Sequence, residues 1–222
     1  MLAHTFGEDT IINNTISGWF LSEKLDGLRA YWDGGISRGF LAKNVPYANT
    51  ERDKRLVDPD YLATGLWSRN AKVIRAPEWF LDALPNGLAL DGELWGGVGQ
   101  WEATASIIKQ NTPDDRDWRR IKYMVFDSPL YEIIFQPGLI ETEIYTKLFD
   151  GDTLWWINNP IIHNNINNIT PPSRVFEYLL SWLKKQGIEN DYVHILEQTQ
   201  LPYANSEIIS DIINGKMEES RY

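Results

Sequence analysis

A lysine that is followed closely by an acid and an arginine is the first candidate for chemistry in the sequence. Lys24 stands in Glu23-Lys24-Leu25-Asp26-Gly27-Leu28-Arg29. An amine that attacks a phosphorus centre must first lose its proton, so a nearby cation, a bound metal ion or desolvation must favour the neutral amine. Arg29 can hold a phosphate or ribose group, and Asp26 can orient the amine or a metal-bound water. The same seven residues are also typical of a surface ion-pair cluster at a turn.

Three later residues have side chains suited to nucleotide binding. Glu93 lies in Leu90-Asp91-Gly92-Glu93-Leu94-Trp95, where it can accept ribose hydroxyls or bind a divalent cation, or can be an exposed strand residue. Arg69 is a second candidate phosphate ligand. Phe126 ends an apolar alternation, where its ring can stack on a purine for about 1–3 kcal/mol or can simply belong to the core.

The lysine motif is predicted to lie on a short connection between two strands. Residues 19–22 lead into it, and residues 28–33 alternate between apolar and polar side chains, which predicts a strand with one buried face. Asp33-Gly34-Gly35 predicts a tight turn. Residues 36–65 are polar and weakly periodic, which indicates an inserted loop, and loops of that length are usually functional.

The rest of the chain alternates between predicted strands and helices. Strands are predicted at 88–94, 121–126, 154–157 and 193–197, helices at 77–84, 101–109, 175–183 and 206–213, and a loop at 158–168. The mixture of hairpin-like strands with interspersed helices predicts an α+β fold with antiparallel sheets.

Composition excludes several kinds of site. The chain has no cysteine, and its three histidines show no ligand spacing, so disulfides and structural zinc sites are excluded. No apolar run approaches the roughly 18 residues of a membrane span, and the N-terminus lacks signal-peptide features. We therefore expect a protein of the cytoplasm that has no membrane partner, and we also expect it to be a monomer.

The net charge of −10 disfavours a chain that wraps DNA unaided, because duplex affinity comes largely from lysine and arginine. Two local basic clusters, at 52–55 and 116–122, oppose this trend. Short charge runs of this kind are usually solvated surface.

The order of the motifs resembles the nucleotidyltransferase (adenylation) domain of ATP-dependent DNA ligases, particularly the minimal bacterial and viral forms. Residues 22–34 resemble the lysine motif of that family, and Ser68-Arg69-Asn70 resembles its arginine motif. Residues 89–95 and 99–106 resemble the glutamate motif and the helix after it, and residues 123–127 resemble the aromatic motif. Four motifs in this order are highly specific.

The resemblance implies an ATP-grasp-like nucleotidyltransferase domain, with antiparallel sheets flanked by helices around a nucleotide cleft. It implies that Lys24 and Asp26 are catalytic, and that Lys24 attacks the α-phosphate of ATP, expels pyrophosphate and carries AMP. The AMP would pass to a 5′-phosphate at a nick in double-stranded DNA, and a 3′-hydroxyl would then displace it.

The resemblance also assigns the contacts to the nucleotide. Glu93 would contact the ribose or Mg²⁺, and Phe126 would stack on adenine. Arg29 would assist at the ribose or phosphate, Arg69 would bind phosphate, and Glu23 belongs to the same nucleotide-binding set.

The sequence departs from the family after the aromatic motif. The family's Glu-Gly and Lys-x-Lys motifs, and the oligonucleotide-binding domain that follows them, are not visible before Tyr222. Residues 1–222 are therefore expected to form a single adenylation domain that is incomplete at its C-terminus. We expect that the chain alone cannot seal nicks and forms the lysyl-AMP only weakly, and that a missing C-terminal half or a second chain is its partner.

Two alternatives remain open. An mRNA-capping guanylyltransferase shares the Lys-x-Asp-Gly motif but transfers GMP, so labelling by GTP would distinguish it. A non-catalytic fragment that binds a nucleotide or a partner chain would keep its biological effect after Lys24→Ala.

Overall fold

The computed structural model describes residues 20–128, 181 and 183–200. The strands are β1 (Phe20–Ser22), β2 (Leu28–Asp33), β3 (Leu66–Ser68), β4 (Ala89–Trp95), β5 (Lys122–Asp127), β6 (Val193–Ile195) and β7 (Gln198–Gln200). The helices are α1 (Glu78–Asp82), α2 (Trp101–Ile108) and α3 (Asp115–Trp118), and two 3-10 turns lie at Ala42–Asn44 and Lys54–Val57. The described residues therefore form the predicted α+β arrangement.

Five strands form one sheet in the order β3-β2-β4-β5-β6, and β1 pairs with β7 in a separate two-stranded sheet. All pairings are antiparallel except that between β5 and β6, which is parallel. The predicted antiparallel arrangement is therefore confirmed among the described strands except where β6 pairs with β5. Parallel strands need a crossover connection of roughly a dozen residues or more. The chain between β5 and β6 is far longer than this, so its length permits the parallel pairing.

The core covers one face of the central strands, as the alternation predicted. Side chains of β2, β4 and β5 that point to this face pack against α1, α2 and α3. The most deeply buried of them are Ala30, Trp32, Leu90, Leu94, Tyr123 and Val125. Tyr123 also ties the strands together, because its hydroxyl donates to the carbonyl oxygens of Ala30 at 3.0 Å and Leu90 at 2.9 Å. The opposite face of the sheet is left for polar side chains.

Residues 36–65 are more ordered than the predicted inserted loop. They pack a second small core against β3, and its members are Ala42, Val45, Leu56, Tyr61, Ala63, Trp67 and Val73. We call this set the second core. The two 3-10 turns each supply one buried apolar side chain to it, a spacing too short to show as helical periodicity.

Asp33 departs from the alternation that placed it on the polar side of β2, because it is only 3% exposed. Its Oδ2 accepts hydrogen bonds from the Tyr47 hydroxyl at 2.5 Å, from Trp67 Nε1 at 3.0 Å and from the Ser37 hydroxyl. Three donors compensate the burial of the carboxylate. Residues 36–65 are thereby attached to the end of β2.

The predicted helices at 77–84 and 101–109 are confirmed as α1 and α2, each ending slightly earlier than predicted. The described part of the helix predicted at 175–183 is helical at 181 and 183–185. The strands predicted at 88–94, 121–126 and 193–197 are confirmed as β4, β5 and β6. The strand at 154–157, the loop at 158–168 and the helix at 206–213 lie outside the described residues. Within the described ranges, no helix has the length and apolarity to cross a membrane.

Candidate active site

The polar face of the central sheet gathers most of the predicted site residues. Asp91 and Glu93 are two residues apart on β4, so both side chains point to the same face. Arg29 of β2 pairs in register with Glu93, and Tyr31 pairs with Asp91. The antiparallel pairing of β2 with β4 thus brings a guanidinium group beside two carboxylates that lie more than sixty residues away in the chain.

The connection from β1 to β2 presents Lys24, as predicted. Leu25 is buried, whereas Glu23 and Lys24 on its N-terminal side are exposed and Asp26 is half-buried. Leu25 therefore anchors the connection while the lysine remains accessible to a ligand.

Gly27 locks this connection onto β4. Its backbone N–H donates to Glu93 Oε1 at 2.5 Å. A Cβ at this position would collide with the carbonyl oxygen of Leu94 and lie 2.9 Å from Glu93 Cγ. Only glycine permits so close an approach of the connection to the strand.

Glu93 is the electrostatic centre of the site. Burial raises the pKa of its carboxyl, and the negative charge of Asp26 raises it further. The N–H of Gly27 and the positive charges of Lys24 and Arg29 act in the opposite direction and favour the ionised carboxylate. The geometry that joins these residues is the hydrogen bond from Gly27 to Glu93, which brings the connection that carries Lys24 and Asp26 to β4, and the register of Arg29 with Glu93.

Arg29 is held rigidly by Asp91. Nε of Arg29 donates to Asp91 Oδ1 at 3.0 Å, and Nη2 donates to Oδ2. This hydrogen bonding raises the pKa of the Arg29 guanidinium, and burial acts against it. The guanidinium carbon also lies 5.6 Å from the centroid of the Phe126 ring, within the range of a cation–π contact.

A register shift places Phe126 beside this pair. Asp91 pairs with Asp127 and Gly92 pairs with Val125, so Phe126 is the extra residue of a bulge in β5. Bulges re-aim side chains next to functional sites. The half-buried ring is therefore part of the same cluster as Arg29.

Arg69 is not brought into this cluster by any contact between described residues. It follows β3 in an exposed turn, in which Ala71 has a φ of 54°. The described part of the chain gives its guanidinium no hydrogen bond or ion pair. Ser68, its neighbour, pairs with Ala30 next to Arg29, so Arg69 lies at the margin of the cluster.

The carboxylates of this site are the described groups that could bind a metal ion. Among the described residues, no group of three or more histidines or acids is arranged to hold a metal by itself. Mg²⁺ usually keeps several waters and binds one or two carboxylates together with substrate phosphates. Glu93 and Asp26 are two such carboxylates, and Gly27, the residue after Asp26, is hydrogen-bonded to Glu93, so the donor set is of the kind that binds Mg²⁺ together with a phosphate ligand.

Asp91 is the residue that sequence reasoning missed. It lies within the glutamate motif, two residues before Glu93. The signal for its role is that it lies two residues before Glu93, on the same face of β4, and that Arg29 of β2 is in register with Glu93. Strand register is set by pairing across sixty residues, so the sequence motif alone did not reveal the partner.

Comparisons with known proteins show which proteins this chain resembles. No family model matches the chain. Over 129 residues the chain is 30% identical to a DNA ligase of Haemophilus influenzae, which covers 58% of this chain and 34% of that protein. The chain resembles a DNA ligase. The match confirms the resemblance predicted from the motifs.

A solved structure of a DNA ligase is also similar to this chain. It belongs to work on Lig E DNA ligases, described as binding DNA with a minimal scaffold, and it superposes with a TM-score of 0.53 at 23% identity. The alignment covers 98% of this chain and 57% of that chain. The likeness shows a DNA ligase fold, and the nucleotide cleft stays a prediction. This chain thus spans about a third to just over half of the DNA ligases it matches.

Proposed function

We propose that this chain is the adenylation domain of an ATP-dependent DNA ligase, with Lys24 as the residue that carries AMP. The observation that carries the proposal is the connection itself. Lys24 is exposed on it, while Gly27, three residues later, is hydrogen-bonded to Glu93. The connection that carries Lys24, the proposed nucleophile, is thus attached to Glu93, the carboxylate that would orient the nucleotide.

The proposed reaction begins at the amine of Lys24. Its neutral Nζ forms a bond to the α-phosphorus of ATP, the bond from that phosphorus to the bridging oxygen breaks, and pyrophosphate leaves. The proton lost by the amine passes to solvent or to a neighbouring carboxylate, for which Asp26 is the candidate. An oxygen of the 5′-phosphate at a DNA nick then takes the AMP from the lysine, and the 3′-hydroxyl finally displaces AMP.

The other residues would bind and orient. Arg29, already fixed by Asp91, would direct its remaining N–H groups to ribose or phosphate, and Phe126 would stack on adenine. Glu93 would accept a ribose hydroxyl or bind Mg²⁺, which when bound neutralises phosphate charge.

Arg69 and Glu23 have weaker support as nucleotide ligands, since both are exposed. A bound nucleotide would have to extend to these two side chains for the proposed contacts to form.

The experiment that tests this function uses ATP or GTP labelled at the α-phosphate, with Mg²⁺, followed by a denaturing gel. We expect label from ATP on the parent protein and none on Lys24→Ala. Label from GTP alone would favour the capping-type alternative. Folded protein without label from either nucleotide would contradict the proposal. Addition of nicked duplex to labelled protein then measures the transfer of AMP to DNA.

A further inference from the structure

The strand that leads into the lysine connection does not belong to the central sheet. β1 pairs with β7, and the last residue of β1, Ser22, is in register with Gln198. Lys24 lies two residues after Ser22. The position of Lys24 relative to the central sheet therefore depends on how the two-stranded sheet is attached to it.

Gln198 makes a hydrogen bond from the two-stranded sheet to the central sheet. Its side-chain Nε2 donates to the backbone carbonyl oxygen of Phe126 at 3.2 Å. A carbonyl oxygen only accepts hydrogen bonds, so the amide must turn its NH₂ group toward β5. The half-buried Gln198 thus connects the strand before Lys24 to the residue proposed to stack on adenine.

The bulge in β5 gives a reason for a side-chain donor at this point. Phe126 is the extra residue of the bulge, and the extra residue of a bulge is left out of the regular ladder of the sheet. The residue before it is bonded by backbone, because Leu196 N, just after β6, donates to the Val125 oxygen at 2.7 Å. The side chain of Gln198 bonds the next carbonyl oxygen along β5, which belongs to Phe126.

The lysine connection is thereby attached to the central sheet at both ends. At its C-terminal end, Gly27 N–H donates to Glu93 Oε1 at 2.5 Å. At its N-terminal end, Ser22 pairs with Gln198, which bonds Phe126. These attachments are made to β4 and β5, which are neighbours in the sheet. A short segment that is fixed at both ends has little freedom to shift its lysine relative to the aromatic ring.

We propose that Gln198 is a positioning residue that sets the distance between the Lys24 amine and the Phe126 ring. This inference rests on the proposed function, in which the ring stacks on adenine and the amine attacks the α-phosphate of the same nucleotide. The amine is then aligned for attack only if the two residues are held at a fixed separation. A small misplacement of a reacting group costs much of the rate.

The test removes the Gln198 bond in two ways. Gln198→Ala deletes the amide, and Gln198→Glu keeps the length of the side chain but, when ionised, has no N–H for the Phe126 carbonyl. Thr199→Val is the matched control, because it changes a half-buried polar residue of the same strand whose side chain points to the opposite face. Thermal unfolding is measured for each protein, and either Gln198 variant serves alone if the other fails to fold.

The first measurement is the rate of lysine-adduct formation in a single turnover at saturating ATP. We expect both Gln198 variants to slow this rate about tenfold or more, because the amine is misaligned even when the nucleotide is bound. Thr199→Val should react as the parent does. In a Phe126→Ala background, which has no ring to position, Gln198→Ala should slow the rate much less than it does alone. Losses that multiply in the double variant would indicate a merely structural role and would overturn the inference.

The second measurement needs no nucleotide. Hydrogen exchange followed by mass spectrometry should be faster in the Gln198 variants at residues 20–27 and 122–127, the two stretches that the bond joins, and should match the parent there in Thr199→Val. Unchanged exchange in both Gln198 variants would overturn the inference whatever the activity of the parent. Faster exchange at both stretches, together with a parent that forms no lysine adduct, would support the attachment by Gln198 and contradict the proposed function.

Discussion

Arg29 of β2 and Asp91 of β4 form a two-pronged ion pair, with Nε 3.0 Å from Oδ1 and a second bond from Nη2 to Oδ2. The side chains are only 26% and 11% exposed. Such parallel bonds fix the plane of the guanidinium group as well as its position. Asp91 is therefore a positioning residue for Arg29, whose guanidinium carbon also lies 5.6 Å from the centroid of the Phe126 ring.

Replacing Asp91 with Asn should disturb Arg29 more than it disturbs the fold. One charge-assisted bond is lost, which typically costs about 1.5–3 kcal/mol. We expect the KM for ATP in lysine-adduct formation to rise about tenfold or more, with thermal unfolding lowered by several degrees. Arg29→Lys is the matched variant, since it keeps the charge but loses the paired geometry. An unchanged KM in both variants would contradict the positioning role of Asp91.

Gly27→Ala should uncouple the lysine connection from β4. The added methyl group would collide with Leu94 O, so the Gly27 N–H can no longer reach Glu93. We expect a loss of about 1–3 kcal/mol in the free energy of unfolding, typical of overpacking, and a large fall in the rate of adduct formation. Gly39→Ala is the control, because its Cβ meets nothing within 4 Å and only its left-handed backbone is strained.

Glu93→Gln should change how stability depends on pH. The pKa of Glu93 is raised by burial, so between the ordinary value of about 4.3 and the raised value the folded protein binds more protons than the unfolded chain. Stability contributed by Glu93 therefore falls as pH rises through that window. Denaturant unfolding at pH 4 and pH 7 should show Glu93→Gln gaining stability relative to the parent at the higher pH. A difference that is constant with pH would disprove the raised pKa.

Asp33→Asn should loosen residues 36–65. The amide offers one acceptor oxygen to donors from Tyr47, Trp67 and Ser37, and its NH₂ group has no acceptor in place of the buried Oδ1, which makes no hydrogen bond among described residues. Loss of a buried network costs about 1–3 kcal/mol. We expect faster proteolysis within 36–65 and a shift in tryptophan fluorescence, whereas Ser37→Ala should change both less because only one donor is lost.

The sequence predicted the elements that carry strong local patterns. Residues 28–33 alternate clearly, and Pro77 and the glycines before Trp101 mark helix starts, so β2, α1 and α2 were found near their observed bounds. The sequence also predicted Lys24, Arg29, Glu93 and Phe126 as candidates. The structure places Arg29 in register with Glu93 and beside Phe126, and Lys24 lies on the connection that Gly27 joins to Glu93.

The missed features depend on contacts between distant parts of the chain. β7 is the polar stretch Gln198–Gln200, which has no apolar alternation and is a strand because it pairs with β1. Asp33 looked like a polar-face residue because its three donors come from other elements. α3 is the exception, because its signal is local: Asp114 caps the N–H groups of Arg116 and Asp117.

The most direct test of the central claim is to locate the nucleotide on the protein. The parent chain is incubated with ATP and Mg²⁺, digested, and its peptides are examined by mass spectrometry for the added mass of one AMP. The account predicts an acid-labile adduct on Lys24 and no adduct on Lys24→Arg. An adduct on another residue, or none on folded parent protein that has bound ATP, would contradict it.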